Sequence, residues 1–311
     1  MLSLLTLPPS NRVSCRLGPL QAHVLIWTFY EEALSMKTIR KVAAVQMASG
    51  PNLNANLLEA ERLVQEAAES GAGLVVLPEN FAFMGKRDQD HLSLREEDHD
   101  GPLQGFLARV ATKYRVWIVG GTIPMVAHDT GKVRAACLVY NDQGDRVGRY
   151  DKIHLFDVSL PEADERYQES STIEAGDEVV VLDSPFGRLG IAVCYDLRFP
   201  EIFRQMLDSG MQLLAIPSAF TAITGKAHWQ TLVRARAIEN LAYVVAAAQG
   251  GYHLNGRETH GHSMIVDPWG TVLAQVPRGT GSVCCAVDDH FQVSVRRNFP
   301  TIEHRRLKCG A

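Results

Sequence analysis

Several features of secreted, membrane-spanning and nucleic-acid-binding proteins are scarce in this sequence. Its 311 residues include six cysteines and no C-x-x-C pair, which argues against a disulfide framework or a zinc ribbon and favours a reducing compartment. No stretch approaches the ~18 consecutive apolar residues that a membrane helix needs. The net charge of -4 supplies no basic surface for nucleic acid. These absences predict a cytoplasmic protein that binds neither membrane nor nucleic acid.

The motifs of nucleotide and metal enzymes are missing as well. The sequence has no G-x-x-x-x-G-K-[ST] phosphate loop and no H-E-x-x-H helix. His260 and His262 flank Gly261, but a metal site needs three or four ligands, so we interpret them as structural histidines. No Pro/Gly/Ser-rich linker interrupts the chain after residue 41. We therefore predict a single domain over residues 37–311.

Residues 1–36 differ from the rest of the chain. They contain Arg12 and Arg16 and no acidic residue before Glu31, which is compatible with an organellar transit peptide. Pro8 and Pro9 interrupt any apolar core and make a secretory signal a poor fit. A further interpretation is that the functional chain begins at Met36, so that residues 1–36 are an extension outside it.

Short apolar runs alternate with segments of helical periodicity from residue 41 onward. Continuous apolar runs such as residues 74–77 predict strands buried on both faces. The spacing of Leu57, Leu58, Leu63 and Val64 predicts a helix over 54–71. The predicted strands are 41–47, 74–77, 116–120, 135–140, 145–150, 188–194, 213–217, 243–248, 261–266 and 271–275, and the predicted helices are 54–71, 103–114, 201–210 and 227–240. Helices alternating with buried strands predict a layered α/β protein, and the short hairpin turns add antiparallel pairing, so the sheets should be mixed.

Polar residues follow three of these strands directly. Glu79 follows the strand at 74–77, Lys152 follows the hairpin strand at 145–150, and Cys194 ends the strand at 188–194. Sites in α/β sheets lie at such strand ends. Cys194 stands on a strand-to-helix turn before Pro200, where a helix N-terminus favours thiolate.

These three residue types together provide a mechanism for amide cleavage. A thiol with the reference pKa of ~8.5 is only slightly ionised at neutral pH, so a carboxylate that takes its proton speeds attack. An ammonium stabilises the oxyanion that develops. We therefore assign Glu79 as general base, Lys152 as oxyanion donor and Cys194 as nucleophile, with the backbone N–H of Tyr195 as a second donor.

The sequence resembles the nitrilase superfamily of carbon–nitrogen hydrolases from Val42 to about Arg306. The resemblance rests on three motifs in the family's order and on several downstream segments. The motifs are Leu77-Pro78-Glu79, Tyr150-Asp151-Lys152-Ile153-His154-Leu155-Phe156 and Gly190 to Phe199, and the downstream segments are 217–220, 224–229, 234–239 and 261–270. The resemblance implies a four-layer α-β-β-α sandwich with two mixed sheets, a homodimer formed through the outer helices of one face, and neither metal nor organic cofactor.

The resemblance also implies a second active-site glutamate between Lys152 and Cys194. Glu169, in Gln168-Glu169-Ser170, is the best match. Its role would be to orient Lys152 and to position the substrate amide or the water. Glu162 and Glu165 remain alternatives, because the loop before Arg166 has one residue more than the family pattern.

Within the superfamily, the C-Y-D-x-R-F and S-A-F-x-x-x-T-G segments resemble the branch of omega-amidases and deaminated glutathione amidases. Substrates of that branch are short amides that carry a carboxylate, which Arg198 can bind with its bidentate guanidinium. By resemblance, Phe220 packs on the substrate chain and Thr224 donates a hydrogen bond. The alternative for Arg198 is a structural salt bridge to Asp196 or Glu201.

The expected function is therefore a cysteine amidohydrolase, with deaminated glutathione as the expected substrate. Three other enzyme activities remain as alternatives: the hydrolysis of ketoacid omega-amides, of carbamoyl amides and of nitriles. A degenerate scaffold that keeps the fold for protein interaction is the non-enzyme alternative, and the intact Glu79, Lys152 and Cys194 argue against it.

Overall fold

A computed structural model describes residues 40–160 and 165–307. The interpretations of residues 1–36 therefore lie outside the described residues, and the domain prediction for 37–311 stays a prediction. The residues from Arg40 onward group into one compact unit by their contacts. No helix in the described ranges is long and apolar enough to cross a membrane.

The order of elements follows the predicted alternation of strands and helices. The strands are β1 (Arg40–Met47), β2 (Ala72–Leu77), β3 (Trp117–Gly120), β4 (Ile123–Val126), β5 (Val133–Tyr140), β6 (Arg146–Asp151), β7 (Asp157–Leu160), β8 (Glu165–Gln168), β9 (Val180–Ser184), β10 (Gly187–Ile191), β11 (Leu213–Ser218), β12 (Tyr243–Tyr252), β13 (Glu258–His260), β14 (Met264–Val266), β15 (Val272–Gln275) and β16 (Gly281–Val287). The longer helices are α1 (Leu53–Glu69), α2 (Pro102–Tyr114), α3 (Pro200–Asp208), α4 (Gln230–Asn240) and α5 (Asp289–Asn298).

All of the strands given above except β7 and β8, which pair with each other, belong to one hydrogen-bonded sheet with two mixed halves. The order along its main path is β4-β5-β3-β2-β1-β12-β11-β10-β9. Strands β1, β2 and β3 run parallel in one half, and β10, β11 and β12 run parallel in the other. The two halves are joined by a short parallel pairing of β1 with β12, at Gln46 with Ala248 and Met47 with Gln249. The predicted hairpins β5–β6 and β14–β15 are confirmed.

The side chains of β1 show how the layers stack. Because successive strand residues point to opposite faces, Ala43 and Val45 join the core beneath α1 and α2, whereas Val42 and Ala44 join the core shared with β10, β11 and β12. Helices α3 and α4 pack on that second half, where Phe203 is fully buried. This arrangement confirms the predicted α/β fold with helices outside and sheets inside.

Some elements differ from their predicted bounds. Strand β10 ends at Ile191, and Cys194 begins a 3-10 helix that runs to Arg198. The helix predicted over 227–240 begins as a π-helical turn, Gly225–Trp229, and is regular only from Gln230. Strands β4, β7, β8, β9, β13 and β16 and helix α5 were not predicted, because they are short or lack a continuous apolar pattern.

Candidate active site

The three predicted strand ends meet in one cleft. Glu79 lies two residues after β2, Lys152 directly after β6, and Cys194 three residues after β10. The cleft is open to solvent at its mouth. It is lined by all eight residues predicted for the site, namely Glu79, Lys152, Glu169, Cys194, Tyr195, Arg198, Phe220 and Thr224.

The loop that carries Glu79 is held by close backbone packing. A Cβ on Gly121, which has φ +57°, would lie 2.1 Å from the Pro78 carbonyl oxygen, so only glycine fits against this loop. Asn80 has φ +55° and donates its backbone N–H to Thr122 Oγ1 at 2.9 Å. Gln249 Nε2 donates to the Glu79 carbonyl oxygen at 3.0 Å. The Glu79 side chain thus projects from a loop that is fixed on several sides.

The Lys152 ammonium lies between two carboxylates. Its Nζ is 2.8 Å from Glu79 Oε1 and 2.8 Å from Glu169 Oε1, and the lysine side chain is only 2% exposed. Burial alone would lower the pKa of this ammonium, but the carboxylates of Glu169 and Glu79 outweigh burial and raise the pKa well above its usual value. Lys152 is therefore a fixed positive charge with carboxylates on two sides.

Glu169 is the glutamate that the fold brings to Lys152. It follows β8 directly, and its Oε2 also accepts the backbone N–H of Phe156 at 2.6 Å. Burial raises the pKa of Glu169, although the Lys152 charge opposes the rise. Of the two alternatives, Glu165 begins β8, three residues before that strand ends. Glu162 lies outside the described residues.

The nucleophile candidate Cys194 has a strained backbone and a buried thiol. Its φ of +47° is rare for a residue with a side chain and is typical of functional sites. Burial raises the pKa of the thiol well above its usual value, and the Glu79 carboxylate, with a side-chain hydrogen bond to the thiol, adds to the rise. The thiol is therefore favoured over the thiolate in the free protein, and the expected contribution of the helix terminus stays a prediction. Lys152 favours thiolate, but burial and Glu79 outweigh it.

A buried carboxylate ties the cysteine turn to the lysine loop. Asp196 is fully buried, and its Oδ1 accepts from His154 N and Nδ1 at 3.0 and 2.7 Å. Its Oδ2 accepts from Tyr150 Oη at 2.6 Å and from Val193 N at 2.8 Å. These bonds connect the residue before the nucleophile with both flanks of Lys152.

The Arg198 side chain lies over aromatic rings at the cleft wall. Its Cζ is 4.9 Å from the centroid of Phe220 and 5.7 Å from that of Tyr195, and its Nη1 is 3.1 Å from His228 Nδ1. Across the described ranges the structure contains no ion pair between Arg198 and either Asp196 or Glu201. The structural salt-bridge alternative is therefore wrong.

The other predicted substrate contacts are nearby. Phe220 packs against Trp229 with ring centroids 5.0 Å apart, and the Thr224 hydroxyl lies 2.9 Å from that of Thr221.

The sequence did not single out Tyr167 or Arg257, which also line the cleft. Tyr167 lies within the short strand β8, and Arg257 directly precedes the short strand β13. Neither strand has a clear apolar pattern, so no local signal identified these residues. No group of three His, Cys, Asp or Glu side chains in the described part of the chain could hold a metal ion.

Comparison with known proteins agrees with this fold and cleft. The family model described as carbon-nitrogen hydrolase matches residues 41–290. A deaminated glutathione amidase of Synechocystis is 43% identical over 267 residues, which cover 85% of this chain and 97% of the relative. The human deaminated glutathione amidase is 39% identical over 272 residues, which cover 85% of this chain and 82% of the relative.

Solved structures show the same architecture. The C. elegans NitFhit protein has a TM-score of 0.78 and 37% identity, covering 86% of this chain and 65% of that chain. Saccharomyces cerevisiae Nit3, a member of branch 10 of the nitrilase superfamily, has a TM-score of 0.77 and 30% identity, covering 86% and 97%. The chain therefore belongs to the carbon–nitrogen hydrolase family, as a hydrolase of carbon–nitrogen bonds other than peptide bonds.

Proposed function

We propose that this chain hydrolyses the amide bond of deaminated glutathione through a thioester on Cys194. The observation that carries the proposal is the ammonium of Lys152, 2.8 Å from both Glu79 and Glu169, in the same cleft as a cysteine thiol and an arginine. The curated relatives named deaminated glutathione amidase support this choice of substrate.

The acylation step begins with a neutral thiol. Because the pKa of Cys194 is raised by burial, the Glu79 carboxylate takes the thiol proton as sulfur attacks the amide carbon. Negative charge develops on the amide oxygen, where the Lys152 ammonium and the backbone N–H of Tyr195 stabilise it. The carbon–nitrogen bond then breaks, and the protonated Glu79 gives its proton to the leaving amine.

Deacylation uses the same groups. Water attacks the thioester carbon while Glu79 takes a proton from it, and the oxyanion again forms beside Lys152. The carbon–sulfur bond breaks, the carboxylic acid leaves, and the proton held by Glu79 returns to the sulfur. Glu169 accepts hydrogen bonds from Lys152 Nζ and from Phe156 N, so its role is to orient the ammonium and the amide or water.

On the acyl side of the scissile bond, Arg198 binds the substrate carboxylate. The guanidinium is half-buried against Phe220 and Tyr195, where a bidentate pair with a carboxylate is stronger than in open water. Phe220 packs on the acyl chain, and Thr224 donates a hydrogen bond.

A release assay over four substrates tests the function. We expect deaminated glutathione to be cleaved best, ahead of a free omega-amide ketoacid, a carbamoyl amino acid and a nitrile. Cys194→Ser is the blank and should abolish turnover. Best turnover of any of the other three substrates would identify an omega-amidase, a carbamoyl-amide hydrolase or a nitrilase instead.

A matched pair of substrates tests Arg198. One substrate carries the acyl-side carboxylate, and in the other it is methylated. Arg198→Ala should lower kcat/KM for the carboxylate by roughly ten- to a hundredfold, and Arg198→Lys should restore part of it. If the preference for the free carboxylate survives in Arg198→Ala, another residue binds this group.

We also propose that the functional protein is a cytoplasmic homodimer built from one domain over residues 37–311. The net charge of -4 supports a protein without a nucleic-acid partner. Sedimentation velocity of the chain with and without residues 1–36 tests both the domain and the dimer, and a monomer at every concentration would contradict the latter.

A further inference from the structure

The cleft reaches from the nucleophile along an aromatic wall to a second arginine. The wall is formed by Tyr195, Phe156 and Tyr167, with successive ring centroids 5.0 Å apart. Arg198 lies against Tyr195 at one end, and the Cζ of Arg257 lies 4.9 Å from the Tyr167 centroid at the other. Both arginines line the same cleft. The site therefore has a guanidinium at each end of one apolar surface.

Deaminated glutathione has an anionic group on each side of its scissile amide. The acyl part ends in the carboxylate that we assign to Arg198, and the leaving group, cysteinylglycine, ends in the glycine carboxylate. An extended dipeptide reaches about 7 Å, so this carboxylate lies well beyond the reacting atoms. We propose that Arg257 binds the carboxylate of the leaving group, an inference that rests on the proposed function and adds a specificity residue to it.

The turn that carries Arg257 is fixed on both sides. His253 N donates to the Arg257 carbonyl oxygen at 2.9 Å, and Arg257 N donates to Asn255 Oδ1 at 3.0 Å. Asn255 Nδ2 donates to the Gly85 carbonyl oxygen at 3.0 Å, and His253 Nδ1 lies 2.8 Å from the Ser49 carbonyl oxygen. The backbone of this turn therefore needs little ordering when an anion binds at Arg257, which favours affinity.

The other charged groups on this side of the cleft are less suited to the role. Arg87 lines the cleft, but its side chain is 78% exposed. Glu258 also lines it, and its Oε1 is 3.9 Å from Nη2 of Arg278, a residue that does not line the cleft. Arg257, half-buried on the Tyr167 ring, is the better-placed cation for a carboxylate.

The test compares deaminated glutathione with the analogue whose glycine carboxylate is amidated. Both have the same acyl group and the same scissile bond, so the ratio of their kcat/KM values reports recognition of the leaving-group carboxylate. Arg257→Ala should lower this ratio by roughly ten- to a hundredfold, mainly through KM, and Arg257→Lys should restore part of it. Arg257→Gln, which keeps length and polarity, should lower the ratio similarly. Arg278→Ala removes an equal charge outside the cleft and should keep the wild-type ratio.

The outcomes separate the inference from the function. An unchanged ratio in Arg257→Ala, or an equal fall in Arg278→Ala, overturns the role of Arg257 while deaminated glutathione remains a substrate. A wild-type protein that cleaves neither compound overturns the proposed function and the inference with it. Loss of the ratio in Arg257→Ala and Arg257→Gln, with partial recovery in Arg257→Lys, supports both.

Discussion

Replacing Asp196 by asparagine should damage both stability and catalysis. Each carboxylate oxygen accepts one backbone N–H, from His154 or from Val193. Asparagine offers one oxygen and one NH₂ group, so in either orientation one buried backbone donor faces another donor. An unpaired buried donor together with the lost negative charge costs about 2–4 kcal/mol of unfolding free energy.

The catalytic effect follows from what Asp196 connects. Val193 precedes the nucleophile, and Tyr150 and His154 flank Lys152 at two residues on either side. A displacement of about 1 Å between reacting groups can cost 10²-fold in rate. We therefore expect Asp196→Asn to lower kcat/KM by about 10²-fold.

Urea unfolding and steady-state kinetics on the same preparations measure the two effects. Tyr150→Phe removes one of the four hydrogen bonds that Asp196 accepts. It should lower the unfolding free energy by about 1–2 kcal/mol and reduce kcat/KM less than Asp196→Asn does. Asp267→Asn changes another buried aspartate, which caps a turn at Trp269 and Thr271 away from the cleft, and should leave kcat/KM at the wild-type value. The reasoning is refuted if Asp196→Asn stays within about 0.5 kcal/mol of wild type and keeps its kcat/KM.

Two further predictions concern the charges in the cleft. Lys152→Met leaves the carboxylates of Glu79 and Glu169 buried without their ammonium and should cost about 3–5 kcal/mol at neutral pH. Burial already raises the pKa of Glu169, and losing the ammonium raises it further, so the folded variant binds protons more tightly than the unfolded chain. The loss of unfolding free energy relative to wild type should therefore shrink as the pH falls from neutral towards about 4.3. Urea unfolding measures this loss, and an equal loss at neutral pH and at about pH 4.3 would contradict the prediction. The raised pKa of Cys194 predicts thiolate ultraviolet absorbance only above about pH 8.5, with Cys194→Ala as the blank; a thiolate signal at neutral pH would refute it.

The sequence by itself determined the layered fold and the three candidate catalytic residues. Apolar runs and helical spacing are local, because a strand buried on both faces or a helix with one buried face must have them wherever it lies. The bounds of α1, α2 and β11 accordingly differ from their predictions by at most two residues. Glu79, Lys152 and Cys194 were recognisable because each lies at the end of a predicted strand within a motif of its own.

The tertiary structure decided how those residues interact. Glu79 and Lys152 are 73 residues apart in sequence, and their ion pair depends on a packing of loops that no local pattern encodes. The protonated state of Cys194 depends on burial and on Glu79, which act through space and cannot be read from the local sequence. Asp196 likewise binds His154, 42 residues away, and not Arg198, which is only two residues away. Arg257 reaches the cleft only because β13 pairs with β12 and its turn packs on Gly85, since a short polar turn has no periodicity from which its place in the fold could be read.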